Sequence, residues 1–318
     1  MNKKISISAV VSVFNGEKIL DGCLKSVSFA DEIIAVDNSS TDRTLDVAKR
    51  HTDLIFTKPN NPMLNVNKNY GFSKATGDWI LSLDADERAT TELAKEIKEK
   101  IGNWKLPASQ RGEEIGNSDV VGYWIPRKNI IFGKWMEHTG WYPDYQLRLF
   151  KKDKGRFPQE HVHEMVKVEG EVEYLKNHIV HYNYENTFQF LNKMTNIYVP
   201  NETEQLIKNG YKFNWQDAIR FPIKEFLSRF FAREGYRDGF HGLMLSIFMA
   251  FYHFVVFANM WEKRGFEKIE KNLMEETAAE TKKAYRDFIL WIGNEKLKTI
   301  VNPFKKIAYK VLRKIRKV

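Results

Sequence analysis

The chain has 318 residues, 43% of them apolar, enough to bury one large core or two modest ones; a wholly disordered protein is excluded. A single cysteine, Cys23, excludes an intrachain disulfide and a cysteine-rich metal site and suits a reducing compartment, the cytosol. The net charge of +9 is confined to one end: residues 1–295 carry as many basic as acidic side chains, and nine Lys or Arg without a single Asp or Glu lie between Lys296 and Val318.

Residues Ile5–Phe14 are β-branched and alternate with serine, so the N-terminal stretch reads as a first strand and not as a signal peptide. It ends in Asn15-Gly16, and Glu17–Ser26 follows with Ile19, Leu20, Cys23 and Leu24 at helical spacing. Glu32–Val36 is a short buried strand, Asp37–Ser40 a turn, and Thr41–Lys49 a helix capped by Ser40 or Thr41 with Asp42 in its first turn. Leu54–Thr57 predicts a third strand, the Gly71–Ala75 region closes another helix, and Trp79–Leu83 is a strand running into Asp84-Ala85-Asp86-Glu87. Strands and helices alternating at these lengths predict an α/β domain with a parallel, doubly wound sheet, whose ligands sit beyond the carboxyl ends of the strands. The acidic turns all fall there.

Residues 103–119 are polar and loop-like, and Tyr123–Arg127, Gln146–Phe150 and Glu171–Tyr174 read as further strands. Beyond Tyr184 helices take over, at Phe188–Tyr198, Trp215–Phe231, Gly242–Trp261 and Glu267–Leu290. The predicted organisation is an α/β domain over 1–185, a helical region over 186–294 and a basic tail helix over 295–318.

Asp84 and Asp86, two apart just past a strand end, can converge on one hard divalent cation, Mg²⁺ or Mn²⁺, which would neutralise a diphosphate. The same residues also read as an acidic turn before a helix capped by Thr90 or Thr91. Arg148 alternates with Leu147 and Leu149 and is expected to face away from both, where its guanidinium could clamp phosphate oxygens or fix a catalytic acid. Trp141 and Tyr142 offer flat faces that suit a sugar ring of an acceptor, or a core. His161, His163 and Glu164 form HVHE, which lacks the HExxH spacing of a zinc hydrolase.

Three segments, SAVVSVFNGEKILDGCLKSV, DEIIAVDNSSTDRTLDVAKRH and NKNYGFSKATGDWILSLDADE, occur in an order and spacing that resembles the family 2 glycosyltransferases of GT-A fold. GWYPDYQLRLF and HVHE are similar to the subgroup that includes lipopolysaccharide core glucosyltransferases of the WaaE and KdtX type. The resemblance covers about Ser6 to Tyr184. It implies transfer of a sugar from a nucleotide-diphospho-sugar, a UDP-sugar first of all, with inversion at the anomeric carbon and with a divalent metal. It further implies that Asp37 contacts the nucleoside, that Phe14, Asn15 and Glu17 line the nucleotide pocket, and that Lys68 faces the donor. Glu164 matches the subgroup's HE motif and is the first choice for the general base; Asp144 is the second. His181 matches a late histidine that completes the metal or diphosphate site in some GT-A enzymes, or is a packed core residue.

Two other functions of related fold are weighed. A sugar nucleotidyltransferase would need a Gly-rich loop where this chain has Phe14-Asn15-Gly16-Glu17, and an inactive membrane-bound scaffold is disfavoured by the intact Asp84, Asp86 and Glu164. A neutral body without a nucleic-acid-binding signature argues against nucleic acid as partner.

Gly242–Trp261 is twenty uncharged residues, long enough to span a bilayer. A cytosolic donor keeps residues 1–185 inside, so one crossing would export the nine cations, against the positive-inside tendency. Ser246, His253 and Asn259 suit lipid poorly, and a buried or interfacial helix is expected. In the tail, Phe304, Ile307, Ala308, Val311, Leu312, Ile315 and Val318 recur at helical spacing among lysines and arginines, an amphipathic cationic helix fit for an anionic membrane surface. A glycan or glycolipid acceptor of the cell envelope and a peripheral position on the inner face of the cytoplasmic membrane are the expected context.

Overall fold

The first strand, β1 (Ile7–Val13), buries both of its faces: Ile7, Ala9, Val11 and Val13 join one apolar cluster, Val10 joins another, and Ser8 is fully buried. A strand covered on both sides belongs in the middle of a helix-flanked parallel sheet, which is why its pattern is nearly continuous in apolar residues. The computed structural model describes residues 5–61, 63–102, 120–159, 164–269 and 272–315. The loop expected over 103–119, and His161 and His163, lie outside the described residues.

After β1 come α1 (Leu20–Ser26), β2 (Glu32–Asp37), α2 (Thr44–Ala48), β3 (Ile55–Thr57), α3 (Leu64–Lys74), β4 (Trp79–Asp84), β5 (Glu87–Ala89) and α4 (Thr91–Gly102). Helix α2 starts later than expected. Arg43, not Ser40 or Thr41, is its N-cap and makes no side-chain cap, while Asp42 Oδ1 accepts from Thr44 N at 3.0 Å. Thr90 Oγ1 accepts from Leu93 N at 3.1 Å, so the threonine expected to cap α4 does so. One sheet face is covered by Leu20, Cys23 and Leu24 of α1 and by Leu93, Ile97 and Ile101 of α4; Phe72 of α3 covers the other with Phe150 and Phe157. Gly71 lets α3 approach closely, because a Cβ there would come within 2.6 Å of Val10 and 2.9 Å of Val36.

The chain continues through β6 (Val120–Ile131), β7 (Lys134–Trp135), β8 (Asp144–Lys151), β9 (Gly155–Arg156), β10 (Lys167–Val168), β11 (Glu171–Tyr174) and β12 (Ile179–Tyr184). The main sheet runs β3-β2-β1-β4-β8-β6-β12-β5. β3, β2, β1 and β4 form a parallel run and β11 pairs parallel with β6, but β8 pairs antiparallel with both β4 and β6, and β12 antiparallel with β5. The expected parallel sheet is therefore half of a mixed one. A second departure lies in β8. Tyr123 and Trp124, adjacent in β6, pair with Leu149 and Leu147, so Arg148 is the extra residue of a β-bulge. Leu147 and Leu149 consequently enter different apolar clusters, and Arg148 does not face away from both as simple alternation requires.

Packing divides the chain into two units, Met1–Ile130 with Tyr142–Asn183 and Ile131–Trp141 with Tyr184–Val318. The sequence pattern changes near 185 but carries no sign that 131–141 groups with the helices. In the second unit, Ile131 and Met136 share a core with Tyr184, Phe190, Met194, Leu245 and Val256. Its helices are α5 (Thr187–Lys193), α6 (Val199–Lys208), α7 (Asp217–Leu227), α8 (Phe240–Lys263), α9 (Leu273–Thr299) and α10 (Pro303–Ile315), with π-helical turns at Met194–Tyr198 and Ser228–Ala232. Among the described residues α8 alone is long and apolar enough to cross a membrane, with mean hydropathy 1.8. Its polar groups meet partners on neighbouring helices: the Tyr252 hydroxyl donates to Glu202 of α6, and His253 Nε2 lies 3.8 Å from Glu225 of α7. Phe251 and Phe254 stay exposed on α8, as do Phe304, Ile307 and Val311 on α10.

Candidate active site

At the carboxyl ends of β1 and β2 two loops are laced together. Asn15 and Ser39 hold left-handed backbone conformations, φ 49° and 60°, which asparagine tolerates better than most residues. Asn15 N donates to Ser40 Oγ at 2.9 Å and its side-chain oxygen accepts from Thr41 N at 2.8 Å. Glu17 N donates to Asp42 and Glu17 Oε2 accepts from Arg43 N, each at 3.1 Å. Asp37 is buried and accepts from Ser40 N at 3.3 Å, while Phe14 is exposed at the same edge. Deeper, Asn67 of α3 donates to Asn38 Oδ1 at 2.7 Å, and Asn38 donates to Ser12 Oγ at 3.1 Å, fixing α3 over the strand ends.

Asp84 ends β4 between two cations. Lys68 Nζ of α3 lies 2.5 Å from Oδ1, and Arg148 Nη2, delivered by the bulge in β8, lies 2.5 Å from Oδ2. Burial pushes the Asp84 carboxyl up, but Arg148 and then Lys68 outweigh it and hold it well below the usual carboxylate range. Arg148 also reaches Glu87 at 2.8 Å, and Glu87, fully buried, takes Arg127 at 3.1 Å and the Asp84 amide at 2.9 Å. Register in the β6–β8 pair sets Arg127 opposite Asp144, where Nη2 lies 2.6 Å from Oδ2. Asn129 donates to the same carboxylate at 3.1 Å and Gln146 to its other oxygen at 2.9 Å. Burial raises Asp144, yet Arg127 and these amides leave it below the ordinary carboxylate range.

The contacts continue toward Asp86. Asn129 Oδ1 lies 2.7 Å from His181 Nδ1, and His181 Nε2 lies 3.6 Å from Asp86 Oδ2. Register is again the cause: β12 sets His181 opposite Glu87, and Tyr182 N donates to the Asp86 carbonyl at 3.0 Å. Asp84, Arg148, Glu87, Arg127, Asp144, Asn129 and His181 thus form one continuous network of ion pairs and hydrogen bonds, with Asp86 facing its last member. Among the described residues no three His, Cys, Asp or Glu side chains gather as a ready-made metal cage. A carboxylate and an imidazole side by side nevertheless fit a divalent ion of the Mg²⁺ or Mn²⁺ kind, which is commonly held by one or two protein groups with the rest from phosphates and water. Of the two aspartates, Asp86 faces this pair and Asp84 faces Lys68 and Arg148.

Glu164 accepts from Asn65 Nδ2 at 3.2 Å and from Gln159 N at 2.7 Å. Asn65 and Lys68 are one turn apart on α3, so the helix carries Glu164 and Asp84 from successive turns of one face. The Tyr142 hydroxyl pairs with His178 Nε2 at 2.9 Å. Trp141 belongs to the second unit, where its ring packs edge-on to Tyr184 and under Arg229.

Glu87, Arg127, Asn129, Asn65 and Asn67 are the structure's additions to the residues singled out from sequence. A faint signal existed, since Arg127, Lys128 and Asn129 are a polar run inside an otherwise apolar strand, and Glu87 directly follows the Asp84-Ala85-Asp86 turn. Their joint burial could not be read there.

A Rossmann-like half-sheet with cationic and acidic side chains at its strand ends, continued by antiparallel strands, defines a GT-A nucleotide-sugar transferase. The sequence model of the family "Glycosyl transferase family 2" matches residues 8–167, and the chain belongs to that family. It is 29% identical over 268 residues to an uncharacterised glycosyltransferase, RT0209, of Rickettsia typhi, covering 80% of this chain and 87% of the relative. It is 23% identical over 274 residues to the lipopolysaccharide core biosynthesis glycosyltransferase LpsC of Rhizobium meliloti, covering 84% and 96%. Among solved structures, that of TarS from S. aureus matches with TM-score 0.41 and 15% identity over 79% of this chain and 55% of that one. The protein is a glycosyltransferase enzyme.

Proposed function

We propose that the protein is an inverting, metal-dependent transferase that moves a sugar from a nucleotide-diphospho-sugar, a UDP-sugar first of all, to a hydroxyl of a cell-envelope glycan or glycolipid of the lipopolysaccharide-core kind. The observation that carries this reading is the approach of Asp86 to His181 beside the network of Asp84 and Arg148, with Lys68 bound to Asp84. Cations and a neighbouring carboxylate and imidazole at the sheet's ligand edge suit a diphosphate. Mg²⁺ or Mn²⁺ bound there would neutralise charge on the departing nucleotide. Lys68 and Arg148 supply fixed positive charge, and Asp37 with Phe14, Asn15 and Glu17 forms the nucleoside end of the pocket.

Inversion in one displacement needs only a carboxylate to take the acceptor proton. Glu164 is proposed for that role. Asp144 is less suited because Arg127 and two amides hold it as a stable carboxylate, and a weak base removes a proton poorly. Asp144 then serves the ion-pair network, and Tyr142 and Trp141 are proposed for acceptor contact. The name of LpsC favours a cell-envelope acceptor. Residues 1–185 are proposed as the transferase domain, 186–294 as a helical region and 295–318 as a peripheral membrane tail on the cytoplasmic face.

Donor hydrolysis and transfer, measured with a panel of nucleotide sugars with and without Mn²⁺, test the reading. Asp86→Asn is expected to abolish most metal-dependent turnover while leaving the fold intact. Full activity of Asp86→Asn at limiting Mn²⁺ would remove the metal site.

A further inference from the structure

Asn129 is completely buried on β6, and its side-chain contacts with Asp144 and His181 have opposite requirements. A side-chain amide has one end that donates and one that accepts. Asp144, paired with Arg127, is an acceptor only, so the NH₂ of Asn129 must face it, 3.1 Å away. The amide oxygen is then left for His181, 2.7 Å from Nδ1, and an oxygen can only accept. The Nδ1 atom of His181 must therefore carry a proton. In the neutral imidazole the lone pair is then on Nε2, which lies 3.6 Å from the Asp86 carboxylate. Two acceptors facing one another at that separation are a poor pair until a cation stands between them.

We propose that Asn129 is a positioning residue of the transfer site: oriented by Asp144, it fixes the Nδ1–H tautomer of His181 and so keeps Nε2 bare toward Asp86, ready for a divalent cation. This inference rests on the metal-dependent reading above. It assigns Asn129 and Asp144 a task outside the chemical step, that of setting which imidazole nitrogen is free. Groups of this kind behind a metal-binding histidine commonly contribute about 10- to 100-fold to metal affinity.

The test combines a spectrum with a binding measurement. Protein labelled with ¹⁵N-histidine is observed by long-range ¹H–¹⁵N correlation at about pH 8, above the ordinary histidine range, with His181 assigned by its loss in His181→Asn. The expected result is a His181 protonated at Nδ1 in the wild type and not held in that form in Asn129→Leu. Mn²⁺ affinity, followed by the EPR signal of free Mn²⁺ in the presence of UDP, is expected to fall about 10- to 100-fold in Asn129→Leu. A wild-type His181 protonated at Nε2 overturns the proposal without any variant. So does a folded Asn129→Leu with unchanged Mn²⁺ affinity. A wild type that binds no Mn²⁺ beside UDP would overturn the metal-dependent reading itself and this inference with it.

Discussion

Lys68 and Asp84 form an ion pair, Nζ to Oδ1 at 2.5 Å, although they are sixteen positions apart, with the end of α3 and most of β4 between them. Arg148 holds the other oxygen and is itself shared with Glu87, so the first acid of the Asp84-Ala85-Asp86 turn lies between two cations. In the proposed reading a donor diphosphate at this edge would be met by Lys68.

Lys68→Met should therefore weaken nucleotide-sugar binding more than the chemical step. A hydrogen bond to a charged group is worth about 1.5–3 kcal/mol, roughly a 10- to 100-fold rise in donor KM. Steady-state kinetics with donor varied would show this, and an unchanged KM would take Lys68 out of the donor site.

Glu164→Gln should lower kcat by about 10² to 10⁴ while donor binding, measured by thermal shift, survives. Asp144→Asn should cost less turnover, because the amide can still take hydrogen bonds in the network. A dead Asp144→Asn beside a near-normal Glu164→Gln would reverse the assignment of the base.

Glu87 is the buried anion between Arg127 and Arg148. Glu87→Gln leaves two buried guanidinium groups short of a counter-charge, and breaking a buried pair in this way typically costs about 3–5 kcal/mol. Urea unfolding of the two proteins measures the difference. A change below about 0.5 kcal/mol, the size of an ordinary surface substitution, would mean that the network is not a structural unit.

A chain ending at Ile300 keeps the contacts of Glu295 with Tyr236 and Lys298 but loses α10 with its exposed Phe304, Ile307 and Val311. It should retain activity on a soluble acceptor analogue and sediment less with anionic vesicles. Binding by the full chain should weaken with salt, as the screening length falls from about 10 Å at 0.1 M to about 3 Å at 1 M. Equal vesicle binding by both chains would shift the membrane contact to α8, where Phe251 and Phe254 are exposed.

Local pattern alone located β1, α1, β2, β3 and β4, because each is short, bounded by turn residues and buried on a schedule that hydrophobic period records. It also identified Asp84, Asp86 and Arg148 as polar residues at the ends of or within apolar strands, where burial without a partner is costly, whereas His181 was drawn in by the family resemblance. Which of them meet was beyond its reach. The antiparallel return of β8 on β4, the bulge that aims Arg148 at Asp84, and the register that sets His181 opposite Glu87 join residues 64 to 94 positions apart, and strand register over such distances is decided by the packing of the whole sheet. Asn129 shows the division most plainly. Its sequence says only that an amide sits in an apolar strand; its orientation, and through it the free nitrogen of His181, follows from an ion pair between Arg127 and Asp144 that exists only when β6 and β8 lie side by side.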